Sequence, residues 1–164
     1  MKKAEKITPF TPDEYFKGLE EKVYRELESE SERNERLKKK YPNKRLPAED
    51  VSVEKVKDRM YKRYCSEIEA FNKALEKADN GDAGKQYSVG CFLDTILDER
   101  HQDKDKALYY FIKAAEQNHP YGALQACLAF RKKEPEKAKQ FYGIYKKYNK
   151  DPEDNKATFP EFEK

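Results

Sequence analysis

The stretch DKDKALYYFIKAAEQNHPYGA, residues 103–123, decides the expected fold. Asp103 is a good N-cap residue, and the apolar residues that follow it recur at helical spacing. Ala107, Ala114 and Ala115 stand where a core-facing helix usually carries Leu or Ile. Small residues at these positions let neighbouring helices approach closely, because a longer side chain would hold them apart. The stretch therefore predicts tightly packed helices.

Cap residues and apolar periodicity predict helices along most of the chain. The predicted helices span about residues 11–40, 53–79, 82–98, 104–117, 120–132 and 135–149. Two prolines predict a linker at 41–50, and the tail at 151–164 is predicted to be extended, with Phe159 and Phe162 available to pin it. We expect a charged helical extension with its linker over 1–50, a packed helical region over 51–150, and the tail.

The composition favours a single all-α domain. A chain of 164 residues can bury a core, and its 41% charged residues, six glycines and absent tryptophan are atypical of a β-sandwich. The formal net charge of +3 is too small for an overall field directed at nucleic acid. No apolar run approaches membrane-spanning length, and the first residues lack the apolar core of a secretion signal. We therefore expect a cytoplasmic protein, with a processed organellar form left open.

The cysteine pattern favours reduced thiols over disulfides or a metal site. The chain has three widely spaced cysteines, an odd number unlike the even sets of disulfide-stapled domains. Cys91, His101, His119 and Cys127 do not have the paired spacing of a zinc site. We predict no metal and no cofactor.

Comparison of the chain with itself reveals an internal repeat. A shift of 37 residues superposes small residues on small residues and turn residues on turn residues. The superposed pairs include Ala70 and Ala107, Ala78 and Ala115, Gly81 and Asn118, Gly90 and Cys127, and Leu93 and Phe130. After the loop DERHQD, residues 98–103, the matching shift falls to 31, which indicates a second copy shorter by six residues.

The segments GDAGKQYSVGCFL, residues 81–93, and KDKALYYFIKAAEQNH, residues 104–119, resemble the Sel1-like repeat, a tetratricopeptide-like helical hairpin. Residues 82–118 match its pattern well, and 119–150 match as a shortened copy. The sequence departs from the pattern at Lys85, Leu93, Gly122 and Cys127. The resemblance implies a short α-solenoid with an N-terminal helical extension.

Stacked hairpins form a curved array whose concave surface usually binds another protein. At 100° per residue, one side of the first helix of each repeat lies away from the packing positions. The candidate partner-binding residues on this side are Tyr87, Cys91, Asp94, Leu124, Leu128 and Arg131. The alternative is that the N-terminal helix covers this side through Phe16, Leu19 and Val23.

These observations favour a non-catalytic adaptor or regulator that binds another protein, including an immunity-type inhibitor. An accessory subunit of a larger complex stays open as an alternative. Nucleic-acid binding through the basic segment 36–45 is the least favoured; its cations are Arg36, Lys38, Lys39, Lys40, Lys44 and Arg45. An enzyme is not expected, because the chain lacks a glycine-rich phosphate loop and neither histidine has an evident catalytic partner in sequence.

Overall fold

The computed structural model describes residues 2–41, 52–150, 159 and 162, and the described residues form helices and connecting segments without a strand. The α-helices are α1 (Pro12–Phe16), α2 (Glu20–Lys40), α3 (Val53–Asp79), α4 (Ala83–Cys91), α5 (Lys104–Glu116), α6 (Pro120–Phe130) and α7 (Pro135–Tyr148). A π-helical turn at Phe92–Ile96 and a 3₁₀ turn at Glu99–His101 lie between α4 and α5. The prediction of an all-α protein is confirmed.

The chain divides into two compact units, which are described separately. The N-terminal unit is Thr8–Ser66, and the C-terminal unit combines Met1–Ile7 with Glu67–Lys164. The division falls within α3, whereas the sequence pattern placed a boundary at the linker 41–50. Residues 42–50 of that linker lie outside the described residues.

The N-terminal unit begins with the helix start that the sequence predicts. Thr11 and Glu14 form a reciprocal capping box at α1. The expectation of one helix over 11–40 is wrong, because α1 ends at Phe16 and α2 begins at Glu20. Between them Gly18 has a φ of 78°, a left-handed conformation that a helix does not contain. The apolar spacing continues across this break, so periodicity alone does not reveal it.

Aromatic rings form the centre of the N-terminal unit. The Tyr15 ring stacks on the Tyr64 ring at a centroid distance of 4.3 Å and lies 5.8 Å from Tyr61. The two α3 hydroxyls also hold the backbone of Phe10: its N–H donates to Tyr64 Oη at 2.9 Å, and Tyr61 Oη donates to its carbonyl at 2.9 Å. These contacts fix the extended residues before α1 against α3.

In the C-terminal unit, α4 packs against α5, α5 against α6, and α6 against α7. The predicted close approach of helices is confirmed, since Ala107, Ala114 and Ala115 are each at most 1% exposed. A Cβ atom added to Gly122 of α6 would lie 2.7 Å from Ala114 Cβ and 3.0 Å from the Phe111 carbonyl oxygen. Small residues on both helices are therefore required at this crossing.

The turns that lead into α4 and α6 have the same geometry, 37 residues apart. Gly81 and Asn118 both have left-handed φ angles, of 94° and 63°. Each donates its N–H to the carbonyl three residues earlier, Ala78 and Ala115, at 3.0 and 2.8 Å. The sequence superposition of Gly81 on Asn118 therefore corresponds to a shared backbone conformation, typical of a helix C-terminus.

Equivalent hydrogen bonds close the connections from α4 to α5 and from α6 to α7, although the two connections differ in length. Asp103 N–H donates to the Leu93 carbonyl at 2.9 Å, and Glu134 N–H donates to the Phe130 carbonyl at 2.8 Å. Residues 94–102 separate the first pair and residues 131–133 the second, a difference of six residues. The longer connection includes the π-helical turn, which replaces the end of the α-helix predicted over 82–98.

Phe159 fixes the chain beyond α7. Its side chain is 8% exposed, and its ring meets the Tyr142 ring edge-on at 5.4 Å. Phe162 lies 5.8 Å from the same tyrosine ring. The prediction that these two phenylalanines pin the tail is confirmed, while residues 151–158 lie outside the described residues.

Candidate functional site

The candidate surface lies on α4 and α6, whose starts are set by equivalent N-caps. The Asp82 side chain accepts from the Lys85 N–H at 2.9 Å, and His119 Nδ1 accepts from the Gly122 N–H at 3.2 Å. Each cap satisfies a backbone donor that the first helical turn leaves unpaired. The two helices therefore present their residues in the same register, 37 positions apart.

Tyr87 of α4 is the centre of an aromatic cluster that reaches α6. Its ring stacks on the His119 ring at 4.9 Å with an interplanar angle of 24°, and lies 6.0 Å from the Tyr121 ring. The Phe111 ring of α5 is 5.9 Å away. Burial, more than any other cause, raises the pKa of Tyr87 to about 12. Tyr87 therefore presents a neutral, half-buried ring.

Cys91 lies one turn after Tyr87, close enough for its thiol to add to the rise in the pKa of the tyrosine hydroxyl. Burial raises the pKa of the Cys91 thiol, the Tyr87 hydroxyl opposes this rise only in part, and the charge of Asp94 adds to the rise. Because the thiolate is the reactive form, this environment does not activate the cysteine as a nucleophile. Cys91, Cys65 and Cys127 are all free thiols.

The predicted residues on α6 have different environments. Leu124 is half-buried and packs against the core formed by α5, α6, α7 and Phe159. Leu128 is 45% exposed. The Arg131 guanidinium lies over the Phe159 ring, 4.6 Å from its centroid, so this cation covers the tail residue.

The structure thus joins only part of the predicted set directly. On α4 and the π-helical turn, Tyr87 and Asp94 each affect the pKa of Cys91. His119 and Tyr121 connect Tyr87 to α6, although neither was among the predicted residues. The shift of 37 residues also superposes Asp82 on His119, and since Asp82 is a good N-cap residue, this pair was the signal that could have placed His119 at a helix start.

His119 has two roles in this cluster, as cap and as stacking partner. Because Nδ1 accepts a hydrogen bond, the neutral ring carries its proton on Nε2. Burial lowers the pKa of His119, and the charge of Asp82 opposes this only in part. The neutral imidazole is therefore the form that caps α6.

The alternative prediction was that the N-terminal helix covers the candidate surface through Phe16, Leu19 and Val23. The Phe16 ring contacts the Tyr15 ring at 4.9 Å and the Tyr61 ring at 6.5 Å, all within the N-terminal unit. Val23 is 2% exposed, and Leu19 is half-buried.

The basic segment is described only in part. Arg36, Lys38, Lys39 and Lys40 are exposed near the C-terminus of α2, where cations complement the helix dipole. The Lys40 ammonium lies 5.5 Å from the centroid of the Tyr41 ring. The last two predicted cations, Lys44 and Arg45, lie outside the described residues.

A cleft of about 310 Å³ in the N-terminal unit is lined by Val56, Met60 and two acidic and two basic side chains. Arg59 hydrogen-bonds to Glu30, and Arg63 forms an ion pair with Glu26 at 3.6 Å. The charges of this cleft are thus paired with one another.

The described residues contain neither a metal-binding cluster nor a membrane-spanning helix. No group of three His, Cys, Asp or Glu side chains is arranged there to hold a metal ion. Likewise, within residues 2–41 and 52–150 no helix is long and apolar enough to cross a membrane. No protein-family model, curated protein or solved structure matches this chain.

Proposed function

We propose that this chain is a non-catalytic protein-binding module built from Sel1-like helical hairpins, and that α4 and α6 supply the binding surface. The observation that carries the proposal is the exposure of Leu128, whose side chain is 45% exposed. A partner that covered Leu128 would remove its apolar surface from water, and this burial favours binding.

Neighbouring residues support the same surface. Cys91 precedes Leu128 by 37 positions and Tyr87 precedes Leu124 by the same number, so the four residues occupy two equivalent pairs. Tyr87, Cys91 and Leu124 are half-buried. A shared register of apolar and aromatic side chains suits an amphipathic helix or an extended segment of a partner protein.

The test identifies the partner through the surface itself. A photo-crosslinking amino acid replaces Leu128, and the chain is expressed in cells of the source organism. We expect one protein to be crosslinked at position 128 and not at Tyr24, which is 59% exposed and belongs to the N-terminal unit. Failure to crosslink any protein specifically at position 128 would contradict the proposal.

Affinity measurements on the purified pair then separate binding from folding. Leu128→Asp should weaken binding by at least about 30-fold, corresponding to roughly 2 kcal/mol at an interface anchor. Tyr24→Asp is the matched control and should leave affinity unchanged. Leu124→Ala is less informative, because Leu124 also packs against the core. Equal affinities for the parent and the Leu128→Asp variant would place the interface elsewhere.

An accessory subunit of a larger complex would bind through the same surface. The two roles differ in lifetime: a permanent subunit co-purifies in fixed ratio through size-exclusion chromatography, whereas a regulator exchanges. Dissociation rates of the crosslinked partner, measured without the crosslinker, distinguish them.

A further inference from the structure

Residues 2–7 form no helix or turn and lie against α3 and α5 in the C-terminal unit. These residues run antiparallel to α3. Lys3 forms an ion pair with Asp79, Lys6 forms one with Glu76, and Ile7 is hydrogen-bonded to Asn72. We call these residues the N-terminal segment. The surface beneath it is not part of the candidate site on α4 and α6.

Asn72 holds the main chain of the N-terminal segment. Its Oδ1 accepts from the Ile7 N–H at 2.9 Å, and its Nδ2 donates to the Ile7 carbonyl at 2.9 Å. One carboxamide thus satisfies both backbone groups of a single residue, as a neighbouring β-strand would. Contacts of this kind recognise an extended backbone whatever its side chains.

Tyr110 of α5 makes the second anchor. Its hydroxyl donates to Asp79 Oδ1 at 3.2 Å and lies near the Ala4 backbone, which partly opposes the rise that burial and Asp79 cause in the pKa of Tyr110. The Lys3 ammonium lies 3.6 Å from the same Asp79 oxygen. Ala4 is only 7% exposed, so this position accepts a small side chain.

Two carboxylates match the two lysines of the segment. Lys6 Nζ donates to Glu76 Oε1 at 2.6 Å, and this hydrogen bond lowers the pKa of Glu76. The side chains of Lys3 and Lys6 are 59% and 63% exposed, so both ion pairs face solvent. Such pairs add selectivity for a basic peptide but little strength.

We propose that Asn72, Glu76, Asp79 and Tyr110 form a docking site for an extended, lysine-containing segment of another protein, and that residues 3–7 of this chain occupy the site in its absence. The matching ligand has a small residue directly after one lysine and a second lysine two residues later, as in KAEK at residues 3–6. This inference does not depend on the proposed function.

The contacts of the N-terminal segment allow another peptide to replace it. Ala4 is the one fully buried side chain among residues 2–7, while Ile7 is half-buried and the others are exposed. A segment held mainly by backbone hydrogen bonds and exposed ion pairs opens more readily than a packed helix. While closed, the N-terminal segment competes with any added peptide through its high effective concentration.

The first experiment measures peptide binding to the full chain. In one variant, Lys3→Glu, Ala4→Asp and Lys6→Glu together release the N-terminal segment. A fluorescent peptide with the sequence of residues 2–8, KKAEKIT, is titrated and its anisotropy recorded. We expect at least tenfold tighter binding to the released variant than to the parent. Adding Asn72→Leu to the released variant should abolish binding, whereas Lys73→Leu, at a neighbouring exposed position, should not.

A charge-reversed peptide, EEAKEIT, is the matched control and should not bind. Absence of KKAEKIT binding to the released variant, or binding that survives Asn72→Leu, would overturn the proposal.

A second measurement uses the unmodified chain, so it does not depend on how the released variant folds. Hydrogen exchange is followed at the Ala4 and Ile7 amides with increasing KKAEKIT. We expect their exchange to accelerate at least tenfold as the added peptide displaces the chain's own segment, while amides of α7 stay protected. Unchanged protection of Ala4 and Ile7 in a large excess of peptide would show that the segment is a fixed part of the fold.

Discussion

No β-carbon fits at Gly90 while the Phe111 ring keeps its place. A Cβ atom built on Gly90 would lie 2.4 Å from Phe111 Cε1 and 2.6 Å from Cδ1. Both residues are buried, Phe111 to 5% exposure. The contact between α4 and α5 therefore depends on the missing side chain at residue 90.

Gly90→Ala should destabilise the C-terminal unit by about 1–3 kcal/mol, because the buried ring must move to admit a methyl group. Gly143→Ala is the matched control. Gly143 lies within α7 with no atom within 4 Å of an added Cβ, so the change should stabilise by about 0.5–1 kcal/mol. Urea unfolding followed by circular dichroism measures both, and a neutral Gly90→Ala variant would show that this crossing is looser than described.

Alanine substitution should destabilise the two left-handed turns before α4 and α6 to a similar extent. Gly81→Ala and Asn118→Ala should each cost about 1 kcal/mol, because an alanine is strained at a positive φ. An added Cβ at Gly81 meets nothing within 4 Å, so the cost there is conformational and not steric. Asn118→Gly should be neutral or slightly stabilising in thermal unfolding. A larger loss for Asn118→Gly than for Asn118→Ala would contradict the shared turn geometry.

Because His119 caps α6 in its neutral form, we expect the free energy of unfolding to depend on pH. Burial lowers its pKa in the folded state, so the unfolded state binds the proton more readily. The stability that depends on neutral His119 is complete above the unfolded pKa of about 6.5 and is lost as the pH falls from there through the folded pKa. Unfolding free energies at pH 7.5 and 5 should differ less in His119→Asn, which keeps an N-cap side chain, than in the parent.

His101 should contribute to the same pH dependence, since burial lowers the pKa of His101 too. The double variant His101→Gln with His119→Asn should reduce the pH dependence further than either change alone. An identical pH dependence in the parent and His119→Asn would mean that the His119 cap is not sensitive to protonation.

Because Phe159 is buried, we expect the tail to stabilise the C-terminal unit. Phe159→Ala removes a ring that contacts Tyr142 and lies beneath the Arg131 guanidinium, and it should cost about 3 kcal/mol. Phe162→Ala should cost less, because Phe162 is only half-buried. Chemical unfolding of the two variants checks the order, and equal small losses would show that the tail contributes little.

The sequence predicted what local signals encode. The bounds of α3, α5, α6 and α7 follow from caps, prolines and apolar spacing, and the alanines correctly indicated close helix contacts. Apolar spacing continues through the break at Gly18, so that break was missed. The π-helical turn at Phe92–Ile96 replaces the last α-helical residues without interrupting that spacing either.

Contacts between distant residues account for the rest. Gln86 is buried at 7% exposure and is hydrogen-bonded to the Ala78 carbonyl and to Gln117, and no local sequence pattern indicates this burial. The stacking of Tyr87 on His119 and the attachment of residues 2–7 to Asn72 and Tyr110 likewise join residues far apart in sequence. Periodicity carries no information about such pairs, so the sequence did not reveal the contact of Tyr87 with His119 or that of residues 2–7 with α3.

The hydrogen bond between the Asp103 N–H and the Leu93 carbonyl has a consequence for chain length. Since this bond already closes the connection at its base, extra residues between Glu99 and Gln102 would lengthen an external loop without separating α4 from α5. The entropic cost of closing a loop grows only slowly with its length. Shortening is different, because Leu97 within the loop is 3% exposed and belongs to the core. This connection should therefore tolerate insertions, such as an epitope tag or a reporter peptide, but should not tolerate deletions.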